Sequence, residues 1–155
     1  MKKVYDKTQA EGTFIRLPSD LRNYIYMPNF KAEMCYLYGL IVDYYNADWG
    51  YAFPSVNELA FAYGKSEKTT SEHLKVLEEC GLIKRSRTTK NNIYIPYYPL
   101  SKNELFKKFP EAKANYEKAL AKRDEEKERS KRNLEKYKSK REETIIDMEK
   151  LDEWF

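Results

Sequence analysis

Residues 53–85 read FPSVNELAFAYGKSEKTTSEHLKVLEECGLIKR, and the stretch carries its own start and stop signals. Pro54-Ser55 opens a helix. Ser55 and Glu58 form a Ser-x-x-Glu capping box, which satisfies amides left free at a helix start. Leu59, Ala60, Phe61 and Ala62 are expected on its buried side, and Gly64 ends it after two turns. Ser66 then caps a further helix predicted over Glu67–Cys80, with Thr70, Leu74 and Leu77 on one face. Gly81 ends that helix. Leu82–Arg87 reads as a strand, Thr88–Asn92 as a polar turn and Ile93–Pro96 as the returning strand, with Pro96 favouring an edge. Asn91 and Asn92 tolerate left-handed backbone, so a hairpin follows.

Upstream, Asn29 is positioned to cap a helix from about Phe30 to Tyr45. Met34, Leu37, Tyr38, Ile41, Tyr44 and Tyr45 recur on one face, and Asn46–Gly50 breaks it. Thr13–Pro18 is β-prone and reads as a strand or an extended arm, and Ser19–Asn23 as a helical turn. Residues 1–12 are polar and expected to be flexible. Downstream, Ser101 and Glu104 repeat the capping box, and Pro110 suits the first position of another helix. No glycine or proline follows, and residues 122–133 contain no apolar side chain. That stretch is an exposed helix held by ion pairs such as Glu125–Arg129 and Glu128–Arg132, or a disordered tail.

Three helices, the second short and tightly joined to the third, followed by a hairpin, give the order of a winged helix-turn-helix. The pattern Pro54-Ser55, Leu59-Ala60, Gly64-x-Ser66-x-x-Thr69 and Leu74-x-x-Leu77-Glu78-x-x-Gly81-Leu82-Ile83 closely resembles bacterial winged-helix DNA-binding domains. The resemblance covers about residues 30–97. It extends to GntR- and MarR-like repressors and above all to the helix-turn-helix domains of phage replisome organisers and plasmid replication proteins. Those often carry an aromatic-Pro-Ser entry like Trp49 to Ser55. It implies double-stranded DNA as partner and a bacterial mobile element as the setting, without choosing between transcription and replication.

The residues support the same reading. If Thr70, Leu74 and Leu77 face inward, then Lys65, Ser66, Glu67, Lys68, Thr69, Ser71, Glu72 and Lys75 face outward, and hydroxyls and lysines suit base edges and phosphates. On the hairpin, Lys84, Arg85 and Arg87 lie on the first strand and Lys90, Asn91 and Asn92 at the tip. Such a wing can follow a phosphate backbone. Charge is concentrated there: residues 84–108 carry a net of +6, whereas the whole chain carries +4. The competing readings are a solvated helix face and a hairpin that blunts its own edge with charge.

The inventory excludes other classes. No apolar run approaches the ~20 residues of a membrane span, and no secretory leader is expected. Cys35, Cys80 and a single histidine, His73, give no metal-ligand cluster and too few cysteines for a disulfide scaffold, so reduced cytosolic thiols are expected; the bacterial cytoplasm as setting is what the resemblance implies. His73 reads as a half-buried packing residue. Most of the 14 tyrosines read as core, with Tyr94, Tyr97 and Tyr98 left open as stacking candidates. No catalytic constellation, metal site or cofactor site is predicted. RNA binding is disfavoured because no aromatic stacking signature is present.

The C-terminal segment offers an assembly surface. Leu134, Tyr137, Arg141, Thr144, Met148, Leu151 and Phe155 alternate at spacings of 3 and 4, flanked by Ile145 and Trp154. Leu134, Tyr137, Ile145, Met148, Leu151, Trp154 and Phe155 are the expected oligomerisation residues. A homodimer or higher homo-oligomer is favoured over fold-back or capture by a replication or transcription protein. The chain is thus expected to be mainly α with a small β-hairpin. Its expected divisions are a flexible N-terminus (1–12), a winged helix-turn-helix (13–100) and a helical, charged extension (101–155). The alternative is a protein-interaction adaptor that uses the winged helix without sequence-specific DNA binding.

Overall fold

The computed structural model describes residues 1–9, 11–87 and 92–154, with side chains as far as Leu151. A 3₁₀ helix (Ser19–Tyr26) precedes α1 (Met34–Tyr44), α2 (Val56–Tyr63), α3 (Glu67–Glu79), β1 (Ile83–Arg87), β2 (Asn92–Pro96), α4 (Lys102–Lys108) and α5 (Pro110–Trp154). This is the mainly helical fold with a two-stranded hairpin and a long C-terminal helix that the sequence implies. It divides into two compact units, Met1–Ala112 and Lys113–Phe155.

Helices α2, α3 and α4 start on the serines that their sequences nominate. Ser55, Ser66 and Ser101 accept hydrogen bonds from the amides of Glu58, Thr69 and Glu104 at 3.1, 3.1 and 3.4 Å. Gly64 sits at φ 74° after α2, and its amide donates to the Ala60 carbonyl at 2.9 Å. A side chain there would be strained, so the sharp turn into α3 depends on this glycine.

Helix α1 starts later than predicted. Asn29 is left-handed (φ 63°) and caps nothing; residues 31–33 form tight turns before Met34. The apolar face of α1 also ends earlier than expected. Met34, Leu37, Tyr38, Leu40 and Ile41 are buried, whereas Tyr44 and Tyr45 are exposed. Phe61, expected on the buried side of α2, is 90% exposed, and Ala62 is half-buried. Tyr63 takes the buried place, because helical spacing from Leu59 and Ala60 reaches residue 63 and not residue 61. Thr13–Pro18 is extended but forms no strand. It packs over Gly39: a Cβ there would meet Ile15 and Leu17 at 2.7 Å, so glycine permits the contact.

Leu37, Ile41, Leu59, Leu74, Leu77 and Leu82 form the centre of the first unit, each at most 1% exposed. Fully burying side chains of this size contributes roughly 1.5–3 kcal/mol each before entropy. The hairpin pairs Ile83 with Pro96 and Arg87 with Asn92. Asn92 therefore belongs to β2 and not to the hairpin tip. Ala52 extends this sheet: Ala52 and Tyr94 exchange both backbone hydrogen bonds at 2.8 Å. Tyr24 and Tyr38 close the unit from the other side. The Tyr24 hydroxyl accepts from the Leu100 amide at 2.8 Å, and the Tyr38 hydroxyl donates to the Tyr97 carbonyl at 2.7 Å. Burial pushes the Tyr38 phenol up to about 12. Helix α4 packs Leu105 and Phe106 inward, and Ala112 is fully buried, so the unit runs through the first residues of α5. In the second unit, α5 continues without a break, and residues 121–151 are exposed along its whole length.

Thr70 is fully buried in α3, and among the described residues its hydroxyl has no hydrogen-bond partner. An unpaired buried hydroxyl costs stability that an apolar group of the same shape does not. Thr70→Val is expected to raise the unfolding free energy by about 1 kcal/mol, read from the urea midpoint; a lowered midpoint would show that the hydroxyl stabilises the fold.

Candidate nucleic-acid interface

Burial of Thr70, His73, Leu74 and Leu77 sets which face of α3 looks outward. Ser66, Glu67, Lys68, Glu72 and Lys75 are exposed, and Thr69 and Ser71 are half-buried. Thr69 joins the cap: the Ser66 hydroxyl donates to its Oγ1 at 3.0 Å. Lys65 is exposed but engaged, with its ammonium 3.1 Å from the Glu33 carboxylate. That lysine holds the Glu33 carboxyl below its ordinary value through hydrogen bonding and charge. Two of the eight α3 candidates, Glu67 and Glu72, are acids and would repel phosphates. The favourable part of the face is therefore Lys68, Thr69, Ser71 and Lys75.

The hairpin meets this face along a groove of about 420 Å³, whose lining includes Ser71, Glu78, Arg85, Ser86, Arg87 and Asn92. Glu78 of α3 organises it. Its Oε2 accepts from the Arg85 amide at 2.8 Å and from the Arg85 guanidinium at 3.4 Å. Arg85 is thus half-buried and partly neutralised, whereas Lys84 and Arg87 are exposed. Sequence reasoning names all three as wing cations, with alternation placing Arg85 and Arg87 on one side of the strand and Lys84 on the other, and does not show this pairing. Glu78 lies seven residues before Arg85, and the acid belongs to α3, so no strand pattern shows it. Lys90 and Asn91, like the rest of the predicted turn, lie outside the described residues. Asn92 donates through its amide to the Tyr94 hydroxyl at 3.5 Å.

Of the three tyrosines kept open for stacking, Tyr94 is fully buried and packs as core; Tyr97 and Tyr98 are exposed. The aromatic entry noted in the sequence from Trp49 to Ser55 forms a ring cluster just before α2. The Trp49 and Phe53 rings are 4.8 Å apart, with Tyr51 about 6 Å from each. His73 is not half-buried: it is 5% exposed, with Nδ1 2.8 Å from the Tyr63 hydroxyl. Burial pushes the Tyr63 phenol up and the His73 imidazole down, which favours the neutral form of both, and the imidazole tautomer sets which of the two donates. This bond joins α2 to α3. Cys80 is buried and its thiol is pushed up to about 11, while partial burial also raises the Cys35 thiol, so neither is an activated nucleophile. Among the described residues no His/Cys/Asp/Glu group could hold a metal, and no helix is long and apolar enough to cross a membrane.

Residues 36–83 match the family of helix-turn-helix domains. The arrangement of this segment, α1 followed by α2, the turn at Gly64 and α3, is that of a helix-turn-helix. The match takes in α1 to α3 and the start of β1, roughly the middle third of the chain. A solved N-terminal domain of a DNA-binding protein has a similar fold, at 16% identity and a TM-score of 0.50, over 73% of this chain and 96% of that one. A solved Rep–DNA complex is 17% identical, with a TM-score of 0.49, over 72% and 95%. MepR, a transcription regulator of the Staphylococcus aureus multidrug efflux pump MepA, is 22% identical, with a TM-score of 0.38, over 77% and 84%. No curated protein sequence matches the chain. With the hairpin behind it, the helix-turn-helix domain has the winged form.

His73 is the only histidine in the chain. Its folded-state pKa lies below the ordinary value of 6.5, so the unfolded chain takes up the proton first and stability is lost as pH falls below about 6.5. Urea unfolding between pH 7 and pH 5.5 is expected to show this decline, and His73→Gln to flatten it; an unchanged slope in the variant would place the titrating group elsewhere.

Proposed function

We propose that this chain binds double-stranded DNA, with α3 reading the major groove and the hairpin following the backbone. The observation that carries this is the shared groove: Ser71 and Glu78 of α3 and Arg85 and Arg87 of β1 line it, and Lys68 and Lys75 fall on the same stripe of α3 as Ser71 by helical spacing. Lys68, Thr69, Ser71 and Lys75 are the base-reading candidates. Lys84, Arg87 and Lys90 supply phosphate contacts, with Arg85 contributing less because Glu78 already holds it. Ser66 and Glu67 stand at the start of α3, Lys65 anchors to Glu33, and Glu72, Asn91 and Asn92 complete the candidate set.

The chain serves in this reading as a transcriptional regulator or a replication-initiation or replisome-organising factor of a bacterial mobile element, in the cytoplasm, without an enzymatic step. Footprints at a promoter or at an origin separate these roles. Phe61, 90% exposed on α2, favours the adaptor as second reading, since an exposed ring of this kind suits a protein contact.

The experiment is a salt titration of duplex affinity for two sets of variants. Lys68→Ala with Thr69→Ala and Lys75→Ala is expected to abolish selectivity while the fold persists. Arg87→Ala is expected to weaken binding to all sequences alike and to flatten the slope of log K against log salt by roughly 0.9. Arg85→Ala should flatten it by less. Absence of salt-sensitive binding by the native chain would support the adaptor instead.

Helix α5 is the assembly element in this proposal. Leu134, Tyr137, Ile145, Met148 and Leu151 are each 45–63% exposed, as is Ile146, which the heptad frame did not include. Trp154 lies at the last position of α5, its side chain outside the described set, and Phe155 lies outside the described residues. Burying such side chains between copies contributes on the order of 1.5–3 kcal/mol each before association entropy, enough for a micromolar dimer. Truncation after Asn133 is expected to lower the subunit number measured by light scattering; an unchanged number would move assembly to the first unit.

A further inference from the structure

Charge is segregated along the exposed part of α5. Residues 127–141 hold eight bases and two acids, and residues 142–153 hold six acids and one base. A helix that is basic in one block and acidic in the next repels a parallel, in-register copy of itself and attracts an inverted one.

The heptad positions carry the argument further. Leu134, Arg141 and Met148 occupy the a positions, and Tyr137, Thr144 and Leu151 the d positions. A parallel pair would stack Arg141 on Arg141 in the seam and set Asp147 against residue 152, also an aspartate. An antiparallel pair matches a with d. Inversion about the point between residues 142 and 143 sets Leu134 opposite Leu151, Tyr137 opposite Met148 and Arg141 opposite Thr144, all in one register. The Thr144 hydroxyl donates to the Lys140 carbonyl at 2.9 Å, so its lone pairs stay open to an arginine. A polar pair at the centre of a seam specifies register. The flanking positions agree: in an antiparallel coil g flanks g and e flanks e, to either side of the direct inversion partner, so Lys140 lies beside Asp147, and Lys138 beside Ile145, whose exposed surface its alkyl stem can cover.

We propose that α5 pairs with α5 of a second copy in this antiparallel register. The inference rests on the reading of α5 as an assembly helix and adds its partner, direction and register. At 1.5 Å per residue, the two copies of Lys113 stand about 90 Å apart along the coil.

The test is charge reversal in the full-length chain, with dimer affinity measured by sedimentation equilibrium and helix content by circular dichroism. Asp147→Lys and Lys140→Glu are each expected to weaken dimerisation roughly tenfold, since every dimer contains the contact twice. The double variant, which has the native charge count, is expected to recover to within a few-fold of the native chain. Tighter dimerisation of Asp147→Lys would mean a parallel coil and overturn the proposal, and so would a double variant as weak as its parents. A native chain that stays monomeric at every concentration would instead overturn the assembly reading itself.

Discussion

The paired hydrogen bonds between Ala52 and Tyr94 are the constraint on which the interface depends. They attach the segment that leads into α2 to the second strand of the hairpin, and both residues are fully buried. A two-stranded ribbon alone is marginally stable in water, and this attachment gives β2 a second backbone partner in addition to its packing on the helices. With it, β2 is held on both edges, β1 is held beside α3, and Glu78 reaches Arg85. Tyr63 and His73 make the matching connection between α2 and α3. The outward face of α3 and the exposed cations of β1 share a surface because these two connections leave them little freedom to separate.

That surface is polar in a selective way. Its acids are not all obstacles. Glu33 and Glu78 each engage a cation that the sequence offers as a DNA contact, Lys65 and Arg85, and so remove it from the free charge. Exposed ion pairs of this kind contribute little to stability, but they decide which cations remain available to a polyanion. Lys68, Lys75, Lys84 and Arg87 remain. The first two stand on α3, the helix proposed to enter a groove, and the others on β1.

Local rules made much of this legible. Ser55, Ser66 and Ser101 cap their helices because a serine hydroxyl at that spacing reaches the third amide, and Gly64 and Gly81 stop helices because they accept positive φ. The choice of outward residues on α3 followed from burying Thr70, Leu74 and Leu77, which the structure also buries. What the sequence did not reveal was tertiary. Asn29 resembles a cap but takes a left-handed turn, and Phe61 belongs to an apolar run yet points to solvent because helical phase overrides composition. The Ala52–Tyr94 pairing, the Glu78–Arg85 staple and the full burial of His73 join residues from different elements, and no spacing rule reports them.

Backbone amide shifts of the full-length chain, followed by NMR as duplex DNA is added, test the central claim most directly. The account predicts salt-sensitive changes at Lys68, Thr69, Ser71 and Lys75 in α3 together with Lys84 and Arg87 in β1, and little change around Phe61 or along residues 134–151. Changes confined to Phe61 and the Trp49–Phe53 cluster, with α3 and β1 unmoved, would contradict it.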